Sequence, residues 1–253
     1  MKDLLKKILA RAGYRLARLA PPVNAVDAFG DLTAEERAIL EATFPLTLTG
    51  PERLAALIGS VKYVVQQKIP GDIVECGVWR GGSMALVART LLLLGDTSRT
   101  LYLYDTFEGM PAPTDRDRDL LGRAAGDLMS AEPRETGHTI WAYATLDDVR
   151  ANLLATGYPA DRIVFVPGKV EDTIPATIPA AISLLRLDTD WYASTRHELQ
   201  HLYPKLSSHG VLIIDDYGHW RGSRDATDEF LRTLPHPLYL HRVDYTARLA
   251  IKP

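Results

Sequence analysis

The chain has 253 residues, 46% hydrophobic and 24% charged, with a formal net charge of −3. This is an ordinary globular composition, long enough for one large α/β domain with additions or two small ones, and its near-neutral balance argues against nucleic acid as a partner. A single cysteine, Cys76, excludes an intrachain disulfide framework and fits a reducing cytoplasm, and no apolar run is long enough to span a bilayer.

Met1–Ala20 predicts an amphipathic helix. Leu4, Leu5, Ile8, Leu9, Ala12, Leu16 and Leu19 share one face, with Lys2, Lys6, Lys7, Arg11, Arg15 and Arg18 mostly opposite. The interleaved charges are unlike a signal peptide. Such a helix can lie on an anionic membrane without stable insertion; more often it covers its own domain or a partner subunit, and a homo-oligomer is expected. Pro21-Pro22 ends it. Leu32–Thr43 follows as a helix opened by a capping box, Thr33 with Glu36. Gly50-Pro51-Glu52 starts another, which Ile69-Pro70-Gly71 stops near Lys68.

Strands and helices then alternate: strand Ile73–Gly77, helix Ser83–Leu94, strand Thr100–Tyr104, helix Leu146–Ala155, strand Ile163–Pro167, a proline-rich helix or turn Ile174–Ala180, strand Ala181–Leu187, helix Thr195–Tyr203, strand Gly210–Ile214, helix Arg224–Thr233, and late strands Leu238–Val243 and Arg248–Lys252. The pattern predicts an α/β, Rossmann-like, mostly parallel seven-stranded sheet with helices on both faces. Residues 1–68 are expected to form an N-terminal helical extension to a 69–253 domain. The polar stretch 107–145 is too long for a minimal connection and reads as a mobile lid.

The strand Ile73–Gly77 carries acidic Glu75 and runs into Gly77-Val78-Trp79-Arg80-Gly81-Gly82-Ser83 before an apolar helix. Parallel sheets present nucleotide-like ligands at such a turn. It is neither a P-loop nor G-x-G-x-x-G, and Glu75 suits a cationic or hydroxylated ligand better than a phosphate. That combination points to S-adenosylmethionine. Asp105, ending the next strand, would bond ribose hydroxyls. Glu171 and Asp172 either approach adenine or cap a helix.

Asp188-Thr189-Asp190 and Asp215-Asp216 end two strands expected to be neighbours. Converging carboxylates repel one another and raise their pKa values unless a cation is present. Arg186 and Lys205 could supply charge, but a hard divalent cation held by oxygen is the simpler partner, and zinc lacks its usual histidine and cysteine ligands. Among seven scattered histidines, His138 and His219 stand near enough to act as a base or to be structural.

Assembled, these segments resemble the macrocin O-methyltransferase family. The matching stretches include Thr47-Leu48-Thr49, Ile69–Ser83, Tyr104–Met110, Val170–Pro175, Leu187–Thr195, Tyr203–Leu206 and Gly210–Tyr217. The resemblance implies a class I methyltransferase fold and a magnesium-dependent transfer to a sugar hydroxyl of a natural product, with a small-molecule glycoside as acceptor. It places the cofactor on Glu75, Gly77, Trp79, Arg80, Gly81, Ser83, Asp105, Thr106, Phe107, Glu171 and Asp172, and magnesium on Asp188, Asp215 and Asp216. Asp188 or His138 would take the proton, and His138, Trp141 and Tyr143 would meet the acceptor or pin the loop. Thr189 stands where glycine is expected, and Pro111–Thr145 matches poorly. A catechol-like phenol or another vicinal diol is the rival acceptor; a non-catalytic cofactor-binding subunit and a dehydrogenase are the readings of other kinds.

Overall fold

The computed structural model describes residues 29–135 and 137–253. The expected helix Met1–Ala20 lies outside the described residues. Helix α1 (Ala34–Thr43) opens as its sequence dictates: Thr33 Oγ1 accepts from Glu36 N, and Glu36 accepts from Thr33 N at 2.8 Å. Helix α2 (Pro51–Gln66) has Pro51 in its first turn, where its missing N–H costs nothing.

The remaining elements are β1 (Asp72–Cys76), α3 (Gly82–Leu93), β2 (Leu101–Asp105), α4 (Ala125–Ala131), α5 (Leu146–Leu154), β3 (Ile163–Pro167), α6 (Val170–Thr173), β4 (Ile182–Leu187), α7 (Tyr192–Leu202), β5 (Leu206–Ile214), α8 (Arg221–Leu231), β6 (His241–Arg242) and β7 (Arg248–Ile251). They form a seven-stranded sheet in the order β3-β2-β1-β4-β5-β7-β6. The first five strands pair in parallel, while β7 is antiparallel to both β5 and β6. After β1 the chain winds outward through β2 and β3, then returns to lay β4 on the other side of β1. The crevice at that reversal is where sheets of this kind hold ligands.

Alternate residues of each strand feed two cores. On one face Ile73, Leu103, Leu184 and Ile213 pack with Leu54, Leu57, Ile58 and Val61 of α2 and with Leu86 and Leu91 of α3. On the other, Val74, Tyr104, Leu185, Leu187 and Leu212 pack with Leu199 and Leu202 of α7. Helix α2, read from the sequence as part of an extension, thus closes one face of the sheet.

Of the helix-or-turn alternatives at Ile174–Ala180 the chain takes the turn, with the helix α6 just before it. Three local expectations are corrected. Strand β5 starts at Leu206 rather than Gly210, because Leu206 pairs with Ile182 despite the polar residues that follow. Strand β6 shrinks to two residues. The stretch 107–145 contains α4, whose Ala125 and Met129 pack with Trp191 and Trp220. The loop is further tied by Trp191 Nε1 donating to Pro111 O at 3.0 Å and Tyr192 N donating to Asp117 Oδ1 at 2.8 Å. Its short apolar spacing hid both the helix and these anchors. No described helix is long and apolar enough to cross a membrane.

Candidate active site

The turn after β1 is shaped by contact with the end of β4. Gly77 has φ +80°, and a Cβ there would collide with the carbonyl of Asp188. Asp188 N in turn donates to Cys76 O at 2.8 Å. Asp105, at the end of β2, ties the turn down: its Oδ2 accepts from Val78 N at 2.8 Å and Trp79 N at 3.2 Å, and its Oδ1 from Phe107 N at 2.8 Å. Burial raises the Asp105 carboxyl above its ordinary range, against the pull of those amides.

Above this turn opens a pocket of about 320 Å³. Of the residues picked out in the sequence, Gly77, Trp79, Ser83, Asp105, Thr106, Glu171, Asp188, Asp215 and Asp216 line it. The others lie behind or beside the lining. Glu75 is fully buried beneath, paired with Arg186. Arg80 turns away to Asp148 at 2.9 Å. Gly81 faces Leu153 and Val149. Phe107 packs edge-on against Phe165. Asp172 sits within α6. His138 lies against the Trp79 ring with centroids 5.3 Å apart. His219 does line the pocket, half-buried, with burial lowering its pKa. Trp141 Nε1 donates to Met129 O and Glu132 O, which holds the loop rather than the pocket.

Asp188, Asp215 and Asp216 converge, each offering an oxygen within 4.8 Å of the others. Two arginines share this ground. Arg186, buried near the end of β4, pairs with Glu75, reaches Asp188 Oδ2 at 2.7 Å and Asp215 Oδ1 at 2.6 Å, and donates to Thr49 Oγ1 at 2.8 Å. Arg53 of α2 pairs with the other Asp215 oxygen and reaches Asp244 at 3.2 Å. Asp215 is accordingly held below its ordinary pKa, its burial outweighed by both guanidiniums. Asp188 and Asp216 are pushed well above theirs, chiefly by burial and then by neighbouring carboxylates. Desolvation pushes the half-buried Asp190 up to about 7. Two arginines stand among six carboxyls here, Glu75, Asp188, Asp190, Asp215, Asp216 and Asp244, and a hard divalent cation suits the donor set of Asp188, Asp215 and Asp216.

Sequence reasoning gave no site role to Arg53, Thr47 and Leu48, which stood only within family-matching stretches, and missed Tyr245 and Thr246; all five line the pocket. It set Arg186 aside as a lesser source of charge. Arg186 had one signal: a charged residue within an otherwise apolar strand. Arg53 had only the family match of Glu52-Arg53-Leu54, since its partners are 162 and 191 residues away in the chain.

A sheet in this order, with a glycine turn after β1 and an acidic residue ending β2, defines the S-adenosylmethionine-binding methyltransferase fold. The family model for macrocin-O-methyltransferase (TylF) matches residues 23–249, and the chain belongs to that family of O-methyltransferases. It is 36% identical over 231 residues to 8-demethyl-8-(2,3-dimethoxy-alpha-L-rhamnosyl)-tetracenomycin-C 4'-O-methyltransferase of Streptomyces olivaceus, covering 90% of this chain and 83% of that protein. Mycinamicin III 3''-O-methyltransferase of Micromonospora griseorubida is 33% identical over 218 residues, 85% of this chain and 82% of that one. Among solved structures, the O-methyltransferase NovP superposes with a TM-score of 0.70 at 30% identity, covering 82% of each chain. An O-methyltransferase from Bacillus cereus in complex with SAH shares the fold at 12% identity and a TM-score of 0.53, over the full length of both.

Proposed function

We propose that this enzyme methylates a sugar hydroxyl of a glycosylated natural product in a magnesium-dependent reaction. The observation that carries the reading is the convergence of Asp188, Asp215 and Asp216 in one pocket with the glycine turn. The rhamnosyl-bearing acceptor named for the tetracenomycin relative supports the choice of a glycoside.

S-adenosylmethionine, the methyl donor, would rest on Gly77–Trp79 and Ser83, with Asp105 and Thr106 towards its ribose and Glu171 towards its adenine. Magnesium held by Asp188, Asp215 and Asp216 would acidify an acceptor hydroxyl, as bound metals do for water. Arg186 and Arg53 hold Asp215 fixed, so the carboxylates are in position before an acceptor arrives. Asp188 faces the pocket and would be in reach of the hydroxyl proton, although coordination to magnesium would weaken it as a base. The packing of His138 on Trp79 makes it a weaker candidate than Asp188, and His219 is the histidine placed to meet the acceptor. Residues 107–145 would form the cover over the acceptor. The lone cysteine fits a cytoplasmic enzyme, and the amphipathic pattern of Met1–Ala20 fits self-association.

The test is incubation with methyl-labelled S-adenosylmethionine, magnesium and a panel of rhamnosylated and other deoxyhexose-bearing aromatic and macrolide compounds. The expected product carries label on a sugar oxygen and disappears with chelator. Label on a catechol-type phenol would transfer the reading to that rival acceptor. Full turnover in chelator would remove the metal.

A further inference from the structure

The far side of the acidic turn is backed by a buried carboxyl that the proposed chemistry does not use. Glu198, on α7, is fully buried. Thr189 Oγ1 donates to its Oε1 at 2.9 Å, and the Cys76 thiol lies against it. Among the described residues its Oε2 has no hydrogen-bond partner. Burial pushes the Glu198 carboxyl up to about 8. A leucine there would avoid that desolvation cost and extend the α7 core.

Thr189 sits between the two aspartates that face the pocket. The turn it belongs to is tightly determined: Asp190 has φ +62°, its N donates to Asp216 Oδ2 at 3.2 Å, and Trp191 N and Ser194 Oγ both donate to Thr189 O, at 2.6 and 3.3 Å. The Asp188 carbonyl and the Thr189 methyl pack against Gly77. A threonine side chain between Asp188 and Asp190 therefore needs somewhere to go, and Glu198 supplies the acceptor for its hydroxyl.

We propose that Glu198 is a positioning residue which, through Thr189, sets the turn 188–190 so that Asp188 presents its carboxylate to a divalent cation. This rests on the metal reading above. Oriented outer partners of metal ligands are worth about 10–100-fold in metal affinity.

The test uses the full-length protein with Thr189→Val, Thr189→Ser, Glu198→Gln and Glu198→Leu. Mn²⁺ binding is read by electron paramagnetic resonance, SAH binding by calorimetry, and amide exchange by mass spectrometry over 186–194. Thr189→Val should weaken Mn²⁺ by at least about tenfold and speed exchange in the turn, while SAH affinity stays within about threefold. Thr189→Ser and Glu198→Gln keep a hydrogen-bonding partner and should stay within about threefold of wild type on all three readouts. Glu198→Leu should match Thr189→Val; if it fails to fold, Thr189→Val decides the matter alone. Wild-type Mn²⁺ affinity and unchanged exchange in Thr189→Val would overturn the proposal. A parallel loss of SAH would also overturn it, by showing that the pair supports the cofactor floor instead. If wild type binds no Mn²⁺, the metal reading fails separately, and the exchange comparison still decides whether Thr189 and Glu198 set the turn.

Discussion

Replacing Arg186 by methionine removes the positive centre of the site while keeping a side chain of similar length. In the native chain this guanidinium is 3% exposed and is shared by Glu75, Asp188, Asp215 and Thr49. Glu75 is itself 1% exposed, among the described residues its only charge partner is Arg186, and even with that partner burial lifts its carboxyl to about 7. Removing one member of a buried pair leaves the other desolvated without compensation, a loss of about 3–5 kcal/mol. Arg53 still neutralises part of Asp215, so the lower end of that range is expected. Urea unfolding of Arg186→Met followed by circular dichroism should show a midpoint fall equivalent to about 3 kcal/mol. Adding Glu75→Gln to the variant should return at least about 1 kcal/mol, because the orphaned charge is gone. A deficit under about 1 kcal/mol, or a double variant less stable than Arg186→Met alone, would refute the view that the network's main cost is stranded charge.

Gly77→Ala should weaken SAH binding by at least about tenfold in calorimetry, since a Cβ at φ +80° strains the backbone and strikes the Asp188 carbonyl; unchanged affinity would mean the two strand ends are not in contact. Asp188→Asn and Asp216→Asn should each abolish magnesium-stimulated turnover with SAH affinity kept within about threefold, as for a lost metal ligand. Glu198→Gln should alter the pH dependence of stability. A carboxyl raised to about 8 in the folded chain lends stability that is complete below about 4.5 and is lost as pH rises through 8. The variant should thus unfold at a higher temperature than wild type at pH 9, with a gain of no more than about 5 kcal/mol, and the gain should vanish at pH 4; equal melting curves at pH 9 would contradict a buried, proton-retaining carboxyl. Arg53→Ala should lower turnover and Mn²⁺ affinity together, by about tenfold, because Asp215 loses one of the two guanidiniums that orient it; wild-type values for both would leave Arg53 as packing alone.

Most of the fold follows from local pattern. The capping box at Thr33, the glycine turn after Ile73-Val74-Glu75-Cys76, the alternation of apolar strand and helix, and the acidic residues ending their strands are short-range signals, and sequence carries short-range signals well. Elements without a strong local period escaped it, as the seven-residue α4 and the early start of β5 show. The floor of the site was legible in the same way, because Gly77, Asp105, Asp188, Asp215 and Asp216 all stand at strand ends. What surrounds those residues was decided by register. Parallel pairing sets Glu75 beside Arg186, and alternation along the strands turns Glu75, Arg186 and Asp215 to the same face of the sheet. Arg53 meets them there only because α2 packs on that face. Cys76, one residue further along β1, points to the opposite face and meets Glu198 of α7. A one-residue slip of β1 would exchange those two environments, and nothing local in the sequence selects between them. The sequence by itself determined which strand-end side chains reach the crevice; the tertiary structure decided which other residues line it and which buried charges stand behind them, since pairing two desolvated ions requires both to arrive at one point from distant parts of the chain.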